Sequence, residues 1–114
     1  MSQQGKIRHI AIRTSNPEKM CSFYQETFGF EVIGRTPGGA IYMSDGYMNL
    51  ALLTAKDGKP FGIDHFGVRV ESFGPIKVHT TVEKATQIPG QHSEYMVHDV
   101  EGNRVDVMTE EWPH

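Results

Sequence analysis

Apolar and polar residues alternate along four short stretches of this chain, and in each stretch one polar residue faces away from its aliphatic neighbours. In residues 7–13, Ile10 and Ile12 share one side and His9 takes the other. Met48, Leu50 and Leu52 oppose Asn49; Phe66, Val68 and Val70 oppose His65; Val105 and Val107 oppose Asp106. A period of two is the signature of a strand with one buried face. Between the first two stretches the period changes. Met20, Tyr24 and Phe28 recur at fourfold spacing with Phe23 alongside, which predicts a helix opened by Ser15 or Asn16 with Pro17 and closed by Gly29. Strands are predicted at 30–35, 40–44 and 47–53, the last two joined by the hairpin signal Asp45-Gly46.

The pattern then restarts. Ile63-Asp64-His65-Phe66-Gly67-Val68-Arg69 repeats Ile7-Arg8-His9-Ile10-Ala11-Ile12-Arg13 at a shift of 56, and Asn49 and Asp106 stand 57 apart. A repeat of this length fixes architecture before any local detail. It predicts two modules of about 6–53 and 63–109 in one domain, joined by a polar linker over 54–62. The second copy is poorer. Pro75 can open a helix, but Val78, Thr80, Thr81 and Val82 are weak helix formers, and Ile88-Pro89-Gly90 closes the segment. A hairpin over 93–108 leaves little room for another strand, so one strand of this module is expected to be lost or shortened.

Composition narrows the class. At 38% hydrophobic and 22% charged, 114 residues suit one soluble globular domain. A net charge of −3 gives no basic excess, so no nucleic-acid partner is expected. There is no apolar run fit for a signal peptide or a membrane span, and one cysteine, Cys21, allows no internal disulfide; a cytoplasmic location is expected.

The stretches Arg8-His9-Ile10-Ala11-Ile12, Phe23-Tyr24 before Phe28-Gly29-Phe30, Asp64-His65-Phe66-Gly67-Val68, and residues 99–107 together resemble the vicinal oxygen chelate superfamily. That superfamily includes glyoxalases, bleomycin and fosfomycin resistance proteins, extradiol dioxygenases and methylmalonyl-CoA epimerases. The resemblance implies an α+β fold in which two βαβββ-type modules form an open, U-shaped mixed sheet around a metal cleft. It further implies that His9, His65 and Asp106 are ligands to a divalent ion: Fe(II), Mn(II), Ni(II), Co(II) or Zn(II).

Asn49 takes the fourth position, where such proteins often carry Glu or Gln. An amide cannot accept a proton at neutral pH, which disfavours glyoxalase I chemistry; Asn49 would coordinate through its carbonyl, orient a water or simply sit on the sheet. The His-His-Asp set resembles the face used by iron oxygenases, for which Tyr95 and His98 are candidate helpers. Three apart on a strand, at most one of them can face the site. Arg13, Arg69 and Arg104 share the parity of the proposed ligands. With Tyr47 they are candidates for an anionic substrate, or they keep strand ends solvated. The expected function is metal-dependent oxidation, lysis or isomerisation of a small oxygen-rich metabolite. The alternative is metal-free sequestration of a drug or metabolite, as in bleomycin resistance proteins. A homodimer is expected, because a shortened module exposes a sheet edge.

Overall fold

The computed structural model describes residues 4–55, 60–86 and 93–114. Its order is β1 (Lys6–Thr14), α1 (Pro17–Phe28), β2 (Glu31–Arg35), β3 (Ile41–Ser44), β4 (Asn49–Thr54), β5 (Gly62–Arg69), α2 (Gly74–Lys77), β6 (Glu83–Lys84), β7 (Tyr95–His98) and β8 (Arg104–Met108). The eight strands form one mixed sheet in the order β2-β3-β4-β1-β5-β8-β7-β6, open at both edges. Each module runs strand, helix, three strands, and the modules meet where β1 pairs antiparallel with β5. Within each, the first and last strands are parallel neighbours, β1 with β4 and β5 with β8.

Local chemistry explains the better-formed first module. Asn16 Oδ1 accepts from Lys19 N at 3.0 Å, Pro17 opens the helix, and Gly29 (φ 74°) closes it in the left-handed region. The apolar side of α1 covers Ile41, Met43, Leu50 and Leu52, with Ile10, Ile12, Met20 and Tyr24 packed against that cluster. Burying four such side chains is worth roughly 1.5–3 kcal/mol each and holds β1 and β4 in place.

The second module has no comparable cover. Its helix spans four residues, and no side chain caps it. The strand expected to be lost or shortened is present as the two residues of β6, paired with β7 in a stretch that the sequence pattern ran up to as helix. The centre of the linker and the closing turn at 88–90 lie outside the described residues.

The inner face, opposite α1, is largely apolar. Ala11, Ala40, Tyr42, Ala51 and Leu53 form a buried apolar cluster on the side that carries His9 and Asn49. The polar residues are therefore an island within a hydrocarbon face, where every hydrogen bond among them is sheltered from water.

Candidate functional site

Strand pairing sets the island. Asn49 lies opposite His9, His9 opposite Gly67, and Gly67 opposite Asp106, so one lateral row crosses β4, β1, β5 and β8. Laterally paired residues share a face. His65 sits one step along, opposite Ala11. All four predicted polar residues are buried, with Asn49 and Asp106 wholly enclosed. The rings of His9 and His65 have centroids 5.4 Å apart.

Two irregularities add groups that alternation would hide. The β1–β5 register skips Arg8 on one strand and Asp64 on the other. Each is the extra residue of a bulge, which lets neighbours in sequence serve the same side. Asp64 Oδ2 lies 2.6 Å from His65 Nδ1, and its Oδ1 accepts from Arg13 Nε at 2.6 Å. Arg8 lies over the Tyr47 ring at 4.0 Å and is 3.4 Å from Glu111.

The hydrogen bonds fix the histidines. Asn49 Nδ2 donates to the Pro113 carbonyl at 2.8 Å, leaving Oδ1 to accept from His9 Nδ1 at 2.7 Å. A neutral His9 then carries its lone pair on Nε2. On His65, Nδ1 donates to Asp64, and Nε2 lies 3.1 Å from Asp106 Oδ2. That approach is out of line for a hydrogen bond, so His65 Nε2 is a buried nitrogen without a directed partner. Burial by itself would lower the His65 pKa, but Asp106 and then Asp64 outweigh it and hold the imidazole above its ordinary value of 6.5. Burial acts on Asp106 in the opposite sense to its partners: His65, Arg104 and Ser93 overcome it and bring the carboxyl down to about 2. Asp64 is held far below the usual carboxylate range, chiefly by His65 and, against a desolvation cost, by Arg13.

Asp106 is heavily engaged. Arg104 Nε donates to Oδ1 at 2.7 Å and Nη2 to Oδ2 at 3.2 Å, and the buried Ser93 hydroxyl donates to Oδ2. Trp112 lies flat against His9, with centroids 5.2 Å apart and planes 7° from parallel. Its ring fills the gap left by Gly67, where an added Cβ would meet ring carbons at 2.5 and 2.7 Å.

The other predicted residues do not join the island. Tyr95 is paired with Val107, so it faces the opposite side, and its ring contacts Phe73. His98 shares the parity of Asp106 but is largely exposed and lies 3.4 Å from Glu83. Arg69 meets Glu71 at 2.5 Å on the rim, and Tyr47 is half exposed beneath Arg8. Of the three arginines only Arg104 touches a proposed ligand, while Arg13 acts through Asp64. Arg8, Asp64, Ser93 and Trp112 were not anticipated. The shared dipeptide position of Arg8-His9 and Asp64-His65 was the available signal for the first two.

Residues 6–110 match the sequence model described as the Glyoxalase/Bleomycin resistance protein/Dioxygenase superfamily. The chain belongs to that superfamily. No curated protein matches it in sequence. Among solved structures it is similar to a hypothetical protein from Bacillus halodurans C-125, with TM-score 0.69, 16% identity and coverage of 97% of this chain and 99% of that one. It is also similar to methylmalonyl-CoA epimerase from Mycobacterium tuberculosis, with TM-score 0.70, 14% identity and coverage of 94% and 88%. The 2,3-dioxygenase LapB from Pseudomonas sp. KL28 gives TM-score 0.65 and 20% identity, covering 94% of this chain but 41% of that enzyme. At such identities the likeness establishes the fold alone, and that fold hosts many reactions.

The donor types of the superfamily member fit a divalent ion: two imidazoles anchored through Nδ1, one carboxylate and a buried Nε2 without a directed partner. Among the described residues, no three His, Cys, Asp or Glu side chains stand as an ion-holding group. Nor is any described helix long and apolar enough to cross a membrane.

Proposed function

We propose that this chain binds a small oxygen-rich metabolite on its inner face through a divalent ion held by His9, His65 and Asp106. On this reading it is an enzyme of dioxygenase-like or lyase/isomerase type. The observation that carries the proposal is the setting of His65, clamped through Nδ1 by Asp64 with its buried Nε2 turned toward Asp106. A carboxylate behind a histidine is the usual way of fixing a ligand's tautomer and raising its basicity. Fe(II), Mn(II), Ni(II), Co(II) and Zn(II) all suit this set. When bound, the ion would polarise the oxygens of the metabolite.

The remaining residues have separate tasks. Asn49 is engaged at both ends, by His9 and Pro113, so it orients His9 rather than moving a proton. Glyoxalase I chemistry, which needs a base there, is disfavoured. Arg104, only 12% exposed in its side chain, is the cation placed to meet an acidic group of the substrate when Asp106 turns to the ion. Tyr95 and His98 take no part. The protein is proposed to act as a cytoplasmic homodimer; among the described residues β6 pairs with Tyr95 and Met96 alone, leaving Val97 and His98 of the β7 edge for a second copy.

Metal analysis of the purified protein and calorimetric titration test the reading. One ion per chain is expected. Asp64→Asn should weaken binding roughly 10- to 100-fold and His65→Ala more than that. Oxygen uptake with catechols and anaerobically loaded Fe(II) identifies an oxygenase, and solvent deuterium entering α-hydroxy or α-keto compounds identifies an isomerase. The second reading, a metal-free sequestering protein, is favoured by the Arg104 pair on Asp106. Ligand retention with no metal uptake would establish it instead.

A further inference from the structure

We propose that residues 111–114 are a strap docked on the inner face, which has to lift before a ligand can use His9 and Asn49. The inference rests on the reading of that face as the ligand site, and goes beyond it by assigning the face an occupant within the same chain.

The strap is anchored by the site's own groups. Trp112 stacks on His9, the Pro113 carbonyl takes the amide of Asn49, and Arg8 reaches His114 Nε2 at 2.7 Å and Glu111 at 3.4 Å. Gly67 supplies the slot: it stands in the row between His9 and Asp106, and any side chain there would collide with the indole. A segment and a ligand that need the same amide and the same imidazole face cannot both be bound. The ligand's apparent affinity then falls by the fraction of molecules in which the strap is open.

Two features mark the docking as reversible rather than part of the core. The segment has no regular structure and pairs with no strand. Trp112 is almost wholly buried, yet its indole N–H has no hydrogen-bond partner, a deficit that opposes closure and that water corrects when the strap lifts. The closed strap also accounts for the arrangement of the ligands, because His9 is covered on one face and Asn49 is held away from any ion.

Trp112 is the sole tryptophan, so its emission reports the strap alone. Three measurements test the proposal: acrylamide quenching of that emission, Zn(II) titration by calorimetry, and diethyl pyrocarbonate labelling of His9 mapped by mass spectrometry. In Gly67→Ala the inserted methyl should expel the indole, with red-shifted emission and quenching several-fold faster. In Trp112→Ala and Gly67→Ala without metal, His9 should label about tenfold faster than in the wild type, and Zn(II) should bind about tenfold tighter. Zn(II) should also raise quenching in the wild type.

Equal labelling of His9 in all three proteins overturns the strap. So does Zn(II) binding that leaves Trp112 shielded and is unchanged by Trp112→Ala, a result in which the metal site survives. Faster labelling with no Zn(II) binding in any protein keeps the strap and removes the metal. If Trp112→Ala does not fold, Gly67→Ala decides by the same labelling.

Discussion

In the first module a bulge sets the cation Arg8 beside His9, whereas at the equivalent position of the second module the same irregularity sets the anion Asp64 beside His65. The far ends differ too. His9 faces an amide, Asn49, while His65 faces a carboxylate, Asp106. The first half therefore joins an imidazole to an amide beside a single cation, and the other is an alternating chain of charge running Arg13, Asp64, His65, Asp106, Arg104. Covering follows the opposite order: the half with fewer charges has a twelve-residue helix over its outer face and the half with the charge chain a four-residue one. Packing dominates the first module, and electrostatics carries more of the second.

The largest expected effect separates these regimes. Asp106→Ala would strand Arg104 and His65 beside an empty buried site, costing about 3–5 kcal/mol. Asn49→Ala leaves only an imidazole N–H and one carbonyl unsatisfied, about 1–3 kcal/mol. Urea unfolding of both variants measures the gap, and equal losses would erase the distinction between the modules.

A smaller effect appears with pH in the metal-free protein. Asp106 drops from 3.8 to about 2 on folding, so it contributes about 2 kcal/mol that is present above pH 3.8 and lost as pH falls toward 2. Asp64, lowered further, fades over the same acid limb. His65 is raised, so its contribution is complete below 6.5 and disappears as pH rises through its folded value. Denaturation midpoints should fall on both sides of a weakly acidic optimum. In His65→Gln the alkaline decline should vanish; its persistence would place the titrating group elsewhere.

Smallest is the cap of the well-packed half. Asn16→Ala removes the bond to Lys19 N and should cost about 1 kcal/mol, read as a lowered thermal midpoint. A negligible change would mean that tertiary cover alone holds α1.

Alternation and the repeat made the two modules and α1 legible, and set His9, Asn49, His65 and Asp106 on matching faces, because those features follow from periods of 2 and 3.6; that one open sheet brings the four together was implied by the family resemblance. They could not show Arg8 or Asp64 on the inner face, since parity assigns them to the other side and only a bulge reverses it. Trp112 follows the last strand and belongs to no period; its place depends on a vacancy at Gly67 that strand pairing alone reveals. The two residues of β6 were hidden because so short a strand owes its form to its partner rather than to its own sequence. Tyr95 and His98 were separated by parity as expected, but the one on the correct side is drawn to Glu83 at the rim.

The paired bulges let two consecutive positions of a strand contribute to a single surface. Arg8-His9 and Asp64-His65 thus behave as two-residue cassettes, each joining a donor atom to the charge that tunes it. Exchange of one dipeptide would alter basicity and local field together in one half of the sheet while the ladder around it stayed intact.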